Sequence, residues 1–414
     1  MKIAVFISHF PVVSQTFVLR HIIYLIDHGH EVDIYANYRS DEETSHPEIK
    51  EYKLISRTCF FPSLPTNKIF RFIDGLRVFF YCFCFSPKTA VRALNFFRYG
   101  RKAYSLKLLY WIVPFIKRRP KYDIIHGHFG PSGLQVAQLK SLNVISGKLV
   151  VSLYGYDVSR VVKEKGKHYY NDLWNTADLV LPLSEYMKSV IGELGCPSQK
   201  SKVHHLGVDV SKIVPSVREE KPHLLRLLSI SRLVEKKGLQ YSIEAVSKLI
   251  QEDAFVKIRY QIVGDGPLRA QLQEQIRSSN LEDVVDFLGW KDKNEISQLL
   301  QESDILLAPS VTAVDGDQEG TPVALMEAMS AGLPVLSTFH SGIPEIVENG
   351  ASGFLVDERN ADLLKEKLKT LIADHNLRIE MGKCGRKKIR DDYNLEKLDS
   401  HLTLMYRQLI STYI

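Results

Sequence analysis

Two doubly wound α/β domains, each a parallel sheet with helices on both faces, are predicted by three observations. The chain has 414 residues, too many for one ordinary hydrophobic core. Short apolar runs alternate with helix-length amphipathic segments almost throughout, the pattern of parallel strands joined by crossover helices. Around residues 210–222 the alternation breaks at Pro215, Pro222 and the cluster Arg218-Glu219-Glu220-Lys221, which reads as an interdomain linker. The domains are accordingly placed at residues 1–212 and 222–392, with residues 393–414 expected as a helix crossing back to the first domain.

Taken in order, the first half has strand-length apolar runs at residues 2–8, 32–36, 124–128, 149–153, 179–182 and 203–205. Helices are expected at 14–28, 132–142 and 184–194. After the linker come a strand at 224–230, a helix from Leu239, and strands at 258–263, 284–287, 305–308, 334–336 and 353–356. From Ala361 onward the pattern is helical. The alternation pauses between about residues 40 and 120.

Composition narrows the class. Hydrophobic residues make up 45% and charged residues 25%, as in a globular protein with full cores. The five cysteines, Cys59, Cys82, Cys84, Cys196 and Cys384, are odd in number and lack a Cys-x-x-Cys pair, which fits a reducing cytoplasm. Met1-Lys2 leads straight into a strand-length run, so no signal peptide is expected. The greasiest run, residues 78–85, is far short of the roughly 20 residues that span a bilayer. Residues 68–119 stand apart, with twelve Lys or Arg against one acid, Asp74. That segment carries +11 and leaves −5 for the rest of a chain whose total is +6. It also holds fourteen of the 41 aromatic residues, a mix suited to something anionic and partly apolar. The remaining acidity and the lack of a recognisable module argue against nucleic acid.

Doubly wound domains bind ligands at the carboxyl ends of their strands, and the chemistry-bearing residues cluster there. The strongest signal is the run from Glu319-Gly320-Thr321-Pro322-Val323 through Glu327 to Gly332-Leu333-Pro334. It reads as a helix with Thr321 as N-cap, Pro322 at the first helical position, Gly332 at C′ and Pro334 after the stop. Its opening N–H groups and dipole suit a phosphate, and Glu319 and Glu327 suit hydroxyls; the alternative is a capped surface helix with two solvated glutamates. Arg232 and Lys237, after the strand at 224–230, could both reach an anion or simply form a solvated basic turn. Gly264-x-Gly266-Pro267 and Phe287-Leu288-Gly289-Trp290 are strand-then-glycine turns, weak alone. His126 and His128 sit at i and i+2 of a strand and share a face. No partner at ligand spacing accompanies them, so one is read as facing the cleft, the other as packed locally, with no metal site. Tyr154-Gly155-Tyr156-Asp157 ends the next strand and is another candidate cleft wall.

Together these blocks resemble glycosyltransferase family 4, whose members share the two-domain GT-B fold, two Rossmann-like domains facing a central cleft. The carrying residues are Arg232 with Lys237-Gly238, Gly264-x-Gly266-Pro267, Phe287-Leu288-Gly289, Glu319 with Glu327, Gly342-Ile343-Pro344-Glu345-Ile346-Val347, Asn349-Gly350 and Gly353-Phe354-Leu355-Val356. A finer likeness to bacterial exopolysaccharide enzymes, similar to the colanic-acid glycosyltransferases, lies in Phe10-Pro11-x-x-Ser14-Gln15-Thr16-Phe17, His126-x-His128-Phe129-Gly130 and Asp315-Gly316-x-x-Glu319-Gly320. Gln15 stands where that pattern has a glutamate, and the first loop lacks the paired glycines common elsewhere in the family.

The resemblance implies a retaining transferase that moves a hexose from a nucleotide-sugar donor, with uridine as the default base, and needs no metal or other cofactor. Arg232 and Lys237 would bind the pyrophosphate with backbone N–H groups from Gly320 to Val323, including Thr321 on either side of Pro322. Glu327 would hold the ribose, Glu319 a donor-sugar hydroxyl, and the backbone near Phe287, Leu288 and Gly289 would edge the base, with Gly264 and Gly266 also among the donor-binding residues. His128 would lie by C6 of the donor sugar. The expected acceptor is a lipid-linked glycan in exopolysaccharide, capsule or O-antigen synthesis. Residues 68–119 would then touch an anionic membrane at its cytoplasmic face, or else be helices packed on the sheet with cations in water. The rivals are a same-fold epimerase or phosphorylase and a non-catalytic subunit of a polysaccharide machine. A dinucleotide dehydrogenase is disfavoured because residues 3–17 contain no glycine.

Overall fold

Each half of the chain builds a six-stranded parallel sheet, and the two sheets have the same strand order. A computed structural model describes residues 1–12, 15–40, 47–215, 224–253 and 257–411. The first sheet holds β1 (Lys2–Phe10), β2 (Glu31–Arg39), β3 (Thr58–Phe60), β4 (Lys121–His128), β5 (Ser146–Leu153) and β6 (Leu179–Pro182), ordered β3-β2-β1-β4-β5-β6. The second holds β7 (Leu225–Ile230), β8 (Ile258–Val263), β9 (Val285–Gly289), β10 (Ile305–Ala308), β11 (Val335–Thr338) and β12 (Gly353–Val356), ordered β12-β11-β10-β7-β8-β9. Counted within its own half, each reads 3-2-1-4-5-6, the doubly wound order whose direction reverses between the first and fourth strands. Those switch points are β1/β4 and β7/β10, and they decide where each sheet opens a crevice.

Burial on both faces explains the near-continuous apolar strands. In β1, Ile3, Val5 and Ile7 pack with Val18, Ile22 and Leu25 of the helix Thr16–Asp27 on one side. Ala4 and Phe6 pack with Trp111 and Phe115 on the other. Successive side chains alternate between faces, so a strand covered twice has no polar side to show.

Three expectations change. Residues 203–205 do not complete a strand; Lys202 and His204 donate to the carbonyls of Val180 and Pro182, so the segment runs beside β6 without a ladder. The pause at 40–120 contains β3, whose three residues are too short to show a period of two. The helix expected from Ser14 is described from Thr16, and Ser14 lies outside the described residues, as do residues 216–222 of the expected linker. Among the described residues no helix is long and apolar enough to cross a membrane.

The helix Leu395–Ser411 returns to the first domain and seats Leu402, Met405 and Tyr406 among Ile3, Val5 and Ile22. At the crossing, Val208 bridges Asn394 and the Tyr393 hydroxyl donates to the Glu345 carbonyl at 3.0 Å. The domains also meet through loops that leave the carboxyl ends of β5 and β6 on one side and β10 and β11 on the other. Gly155 lies so close to the backbone of Gln318–Gly320 that a Cβ there would come within 2.5 Å of the Gln318 carbonyl oxygen. Lys163 Nζ donates to the Val314 carbonyl at 2.7 Å, and Arg160 pairs with Asp315 at 3.1 Å.

Glu345 provides the best-defined of these contacts. Its carboxylate accepts from the N–H groups of Glu185 and Tyr186, both at 3.0 Å, at the start of the helix Glu185–Glu193. Ser184 satisfies the next two, through its side chain to Met187 N–H and its carbonyl to Lys188 N–H. Of the first-turn N–H groups without intrahelical partners, those of Glu185 and Tyr186 are met by the opposite domain and that of Met187 by the Ser184 side chain, while Lys188 N–H begins the intrahelical ladder. Glu345→Ala removes those two acceptors and is expected to cost about 1 kcal/mol, read as a lower midpoint in chemical denaturation. An unchanged midpoint would show that the contact contributes nothing to holding the domains together.

Candidate active site

At the carboxyl edge of the second sheet, glycines let three loops converge. Gly264, with φ +124°, lies where a Cβ would meet the Ser231 carbonyl oxygen at 1.9 Å, and Gly238, with φ +62°, presses equally close on the Pro309 carbonyl. No other residue tolerates both that backbone and that proximity. The loops after β7, β8 and β10 are therefore held together, which gives the weak Gly-x-Gly signal a loop-packing purpose. Gly266 backs onto Leu233, and the Gly289 carbonyl accepts from Gly264 N–H at 2.8 Å. Phe287 and Leu288 precede Gly289 in β9, and the Arg269 guanidinium stands 5.9 Å from the Phe287 ring.

The helix runs Val323–Ser330, one residue later than expected, with Pro322 rather than Thr321 at the cap position. Pro322 has extended backbone (ψ 113°), and no side chain caps the helix. Thr321 Oγ1 is instead buried with no protein partner, as is Ser231 Oγ. Buried hydroxyls and open N–H groups at one helix start are an unfinished hydrogen-bond set. The far end follows expectation: Ala331 caps the helix, and Gly332 takes φ +83° at C′. Ser231, Lys237, Leu306, Pro322, Ala324 and Leu325 line a cavity over this start.

Glu319 is buried and Glu327 half-buried, so neither is the freely solvated glutamate of the surface-helix alternative. Lys237 Nζ donates to Glu319 Oε2 at 2.8 Å, and Lys236 Nζ lies 3.3 Å from Oε1. Burial alone would raise the Glu319 pKa, but these ammoniums overcome it and hold the carboxyl at about 2. Lys236, itself buried, also contacts Asp317 at 3.1 Å and the Gln318 carbonyl at 3.2 Å. Glu327, in the middle of the helix, has its pKa raised by burial against the opposing pull of Arg20 and Lys293. Arg232 is exposed, and its side chain has no ion pair or hydrogen bond among the described residues.

The Glu319 backbone is fixed as well. Its N–H donates to His340 Nε2 at 3.0 Å, and His340 Nδ1 bonds Glu358, which also accepts from Thr312 N–H at 2.8 Å. Lys236, His340 and Glu358 were absent from the sequence-based site. His340 and Glu358 each follow the carboxyl end of a strand, β11 and β12, where the rule for doubly wound sheets says to look.

On the first sheet His126 and His128 share a face as expected, with ring centroids 4.3 Å apart and stacked. Neither faces open cleft: both are buried, and His128 is bonded through Nδ1 to the Tyr154 hydroxyl at 2.8 Å and through Nε2 to His21 at 3.1 Å. Burial, with His204 nearby, pushes His128 down to about 3. His21 comes from the first helix, and its distance of more than a hundred residues along the chain hid it from spacing arguments. Asp157, after Tyr154-Gly155-Tyr156, is buried and raised to about 7 by that burial, despite accepting from the N–H groups of Tyr154 and Gly130.

Two family models divide the chain, Glycosyltransferase Family 4 over residues 14–212 and Glycosyl transferases group 1 over residues 215–388. WcaL of Escherichia coli K12, named for colanic acid biosynthesis, is 37% identical over 99% of this chain and 100% of its own length. AmsK of Erwinia amylovora, named for amylovoran biosynthesis, is 37% identical over 99% of this chain and 98% of its own. Among solved structures, Anabaena HepE with UDP and glucose superposes with a TM-score of 0.71 at 18% identity, covering 99% of this chain and 100% of that one, a likeness of fold. With two matched sheets, family models over both halves and full-length relatives above one-third identity, the chain belongs to glycosyltransferase family 4, GT-B fold, alongside glycosyltransferases of exopolysaccharide synthesis.

Proposed function

We propose that the chain is a retaining, metal-independent hexosyltransferase that uses a uridine-diphosphate sugar and glycosylates a lipid-linked oligosaccharide at the inner face of the cytoplasmic membrane. The observation that carries this reading is Glu319, kept ionised by two lysines directly ahead of an uncapped helix start. A sugar hydroxyl donates well to such a carboxylate, and a diphosphate suits the N–H groups and cations beside it.

Breaking the bond between the sugar C1 and the phosphate oxygen leaves charge on the diphosphate. Lys237, Arg232 and the helix N-terminus (Gly320, Thr321 and Val323 N–H) are fixed donors for that charge, the part a divalent metal plays elsewhere. Glu327 accepts from the ribose hydroxyls, and the β9 edge at Phe287–Gly289 flanks the base. For retention, the acceptor oxygen bonds C1 from the face the phosphate leaves, and its proton passes to the departing phosphate oxygen. That stereochemistry rests on family resemblance.

The acceptor side has its own support. In the helix Lys68–Phe85 only Gly75, Val78 and Cys82 are buried, while Ile69 is 71% and Phe70 66% exposed. Phe97 is 90% and Tyr104 86% exposed, and Arg77, Lys88, Arg98, Arg101, Lys117 and Arg118 are exposed around them. Phe70, Phe97 and Tyr104 therefore face outward, while Tyr110, Trp111 and Phe115 of the same segment are buried in the core. An apolar face ringed by cations suits the headgroup layer of an anionic bilayer, where a lipid-linked acceptor is presented.

Release of nucleoside diphosphate from donor and extracted lipid-linked acceptor, followed with the product's anomeric configuration, tests the reaction. Glu319→Gln is expected to lower kcat by about 10²-fold with a retained anomer in the wild type; an inverted product removes the retaining assignment. Sedimentation with vesicles is expected to favour anionic over neutral lipid and to lose that preference in Phe70→Ser combined with Phe97→Ser. Equal partitioning between the two lipids would remove the membrane role of residues 68–119.

A further inference from the structure

The three buried histidines of the first domain are linked end to end. Ser152 Oγ lies 2.8 Å from His126 Nε2, and His126 Nδ1 bonds the Tyr406 hydroxyl. That hydroxyl lies 3.3 Å from His21 Nε2, His21 Nδ1 is 3.1 Å from His128 Nε2, and His128 Nδ1 is 2.8 Å from the Tyr154 hydroxyl. Tyr154 in turn interacts with the Ser152 hydroxyl, so the two ends approach each other. All six ring nitrogens have a partner. The three rings could also hold a metal ion, their candidate ligand atoms lying within 4.8 Å of one another. With every nitrogen already satisfied by a hydroxyl or another ring, the hydrogen-bonded arrangement is complete without one.

We propose that Tyr406, carried by the helix returning from the second domain, is a positioning residue that fixes the tautomer of His128 through this chain. A neutral imidazole has one N–H and one acceptor nitrogen, and each link accommodates one proton. Burial holds all three rings in the neutral form, well below the ordinary histidine range. The protons must then all point the same way. If Tyr154 donates to His128, every ring carries its proton on Nε2 and the chain ends on Ser152. If Ser152 donates to His126, every ring carries it on Nδ1 and the chain ends on Tyr154. Tyr406 joins His126 to His21, accepting from one side and donating to the other, while Ser152 and Tyr154 close the chain on the far side. The proton on His128 is thereby decided by the whole chain, including a helix whose sequence lies at the other end of the protein. The consequence for transfer rests on the family-derived placement of His128 by C6 of the donor sugar, although its ring is buried here.

The test is long-range proton–nitrogen NMR on the full chain with ¹⁵N-labelled histidine, assigned by replacing each ring in turn, with metal analysis of the same sample. In the wild type all three rings are expected neutral and in the same tautomer. Tyr406→Phe leaves His126 Nδ1 and His21 Nε2 without partners. A buried unpaired N–H is the worse outcome, so His126 should carry its proton on Nε2 while His21 and His128 carry theirs on Nδ1. Tyr154→Phe, the control should Tyr406→Phe fail to fold, is expected to set all three rings to Nε2–H. Mixed tautomers or a charged ring in the wild type, stoichiometric zinc, or His126 still sharing the tautomer of His21 and His128 in a folded Tyr406→Phe protein would overturn the proposal. In the transfer assay Tyr406→Phe should lower kcat roughly tenfold with donor KM unchanged. A tautomer change without that loss supports the chain and removes His128 from the reaction, so the two claims fail separately.

Discussion

Two ammonium groups closing on one buried carboxylate are the constraint around which the second domain's crevice is built. Lys236 and Lys237 leave the loop after β7, Glu319 leaves the loop after β10, and the contact joins the two strands that flank the switch point. Burying three charges is costly unless they satisfy one another, and losing one partner of such a set typically costs about 3–5 kcal/mol. That penalty holds Glu319 in place, and Glu319 in turn precedes the helix start by a few residues. Gly238 and Gly264 permit the approach, because a side chain at either would collide with a carbonyl of the neighbouring loop. His340 and Glu358 then clamp the Glu319 backbone from β11 and β12, so every strand from the switch point outward on that side contributes to the site.

The first domain meets this crevice through close backbone contact. Gly155 touches the peptide ahead of Gly320, which puts the loop after β5 against the segment proposed to bind phosphate. Behind it, the histidine chain and the returning helix make the first domain's contribution dependent on the far end of the polypeptide. Glu345 caps a first-domain helix from a second-domain loop, so the sheets are joined by hydrogen bonds that belong to the secondary structure itself. The aromatic helix lies outside these contacts and leaves its apolar residues to another surface.

The architecture was readable because a parallel sheet covered on both faces writes itself as apolar runs, and β6, β8, β10 and β12 begin and end where those runs do. β3 was not, since three residues carry no periodicity. Residues 203–205 look like a strand and lie beside one, yet the ladder is not completed. In the site, Glu319, Lys237 and the glycines were found through local spacing and family likeness. Lys236 was passed over because adjacent lysines in a basic turn give no sign of which one is buried. His21, His340 and Glu358 act through contacts between distant segments, which local pattern cannot show. The shift of the helix start from Pro322 to Val323 has a local cause: the extended backbone of Pro322 leaves it at the cap, and the buried Thr321 hydroxyl is left without a partner.

The central claim is that fixed cations and a helix start bind a nucleoside diphosphate without a metal. Titration calorimetry with UDP, GDP and ADP in excess EDTA tests it most directly. The account predicts that one diphosphate, UDP first, binds under EDTA with an affinity changed less than about twofold by Mg²⁺, and at least about tenfold more weakly in Lys237→Ala and in Glu327→Ala. Binding that appears only with Mg²⁺, or that survives both substitutions unchanged, would contradict it.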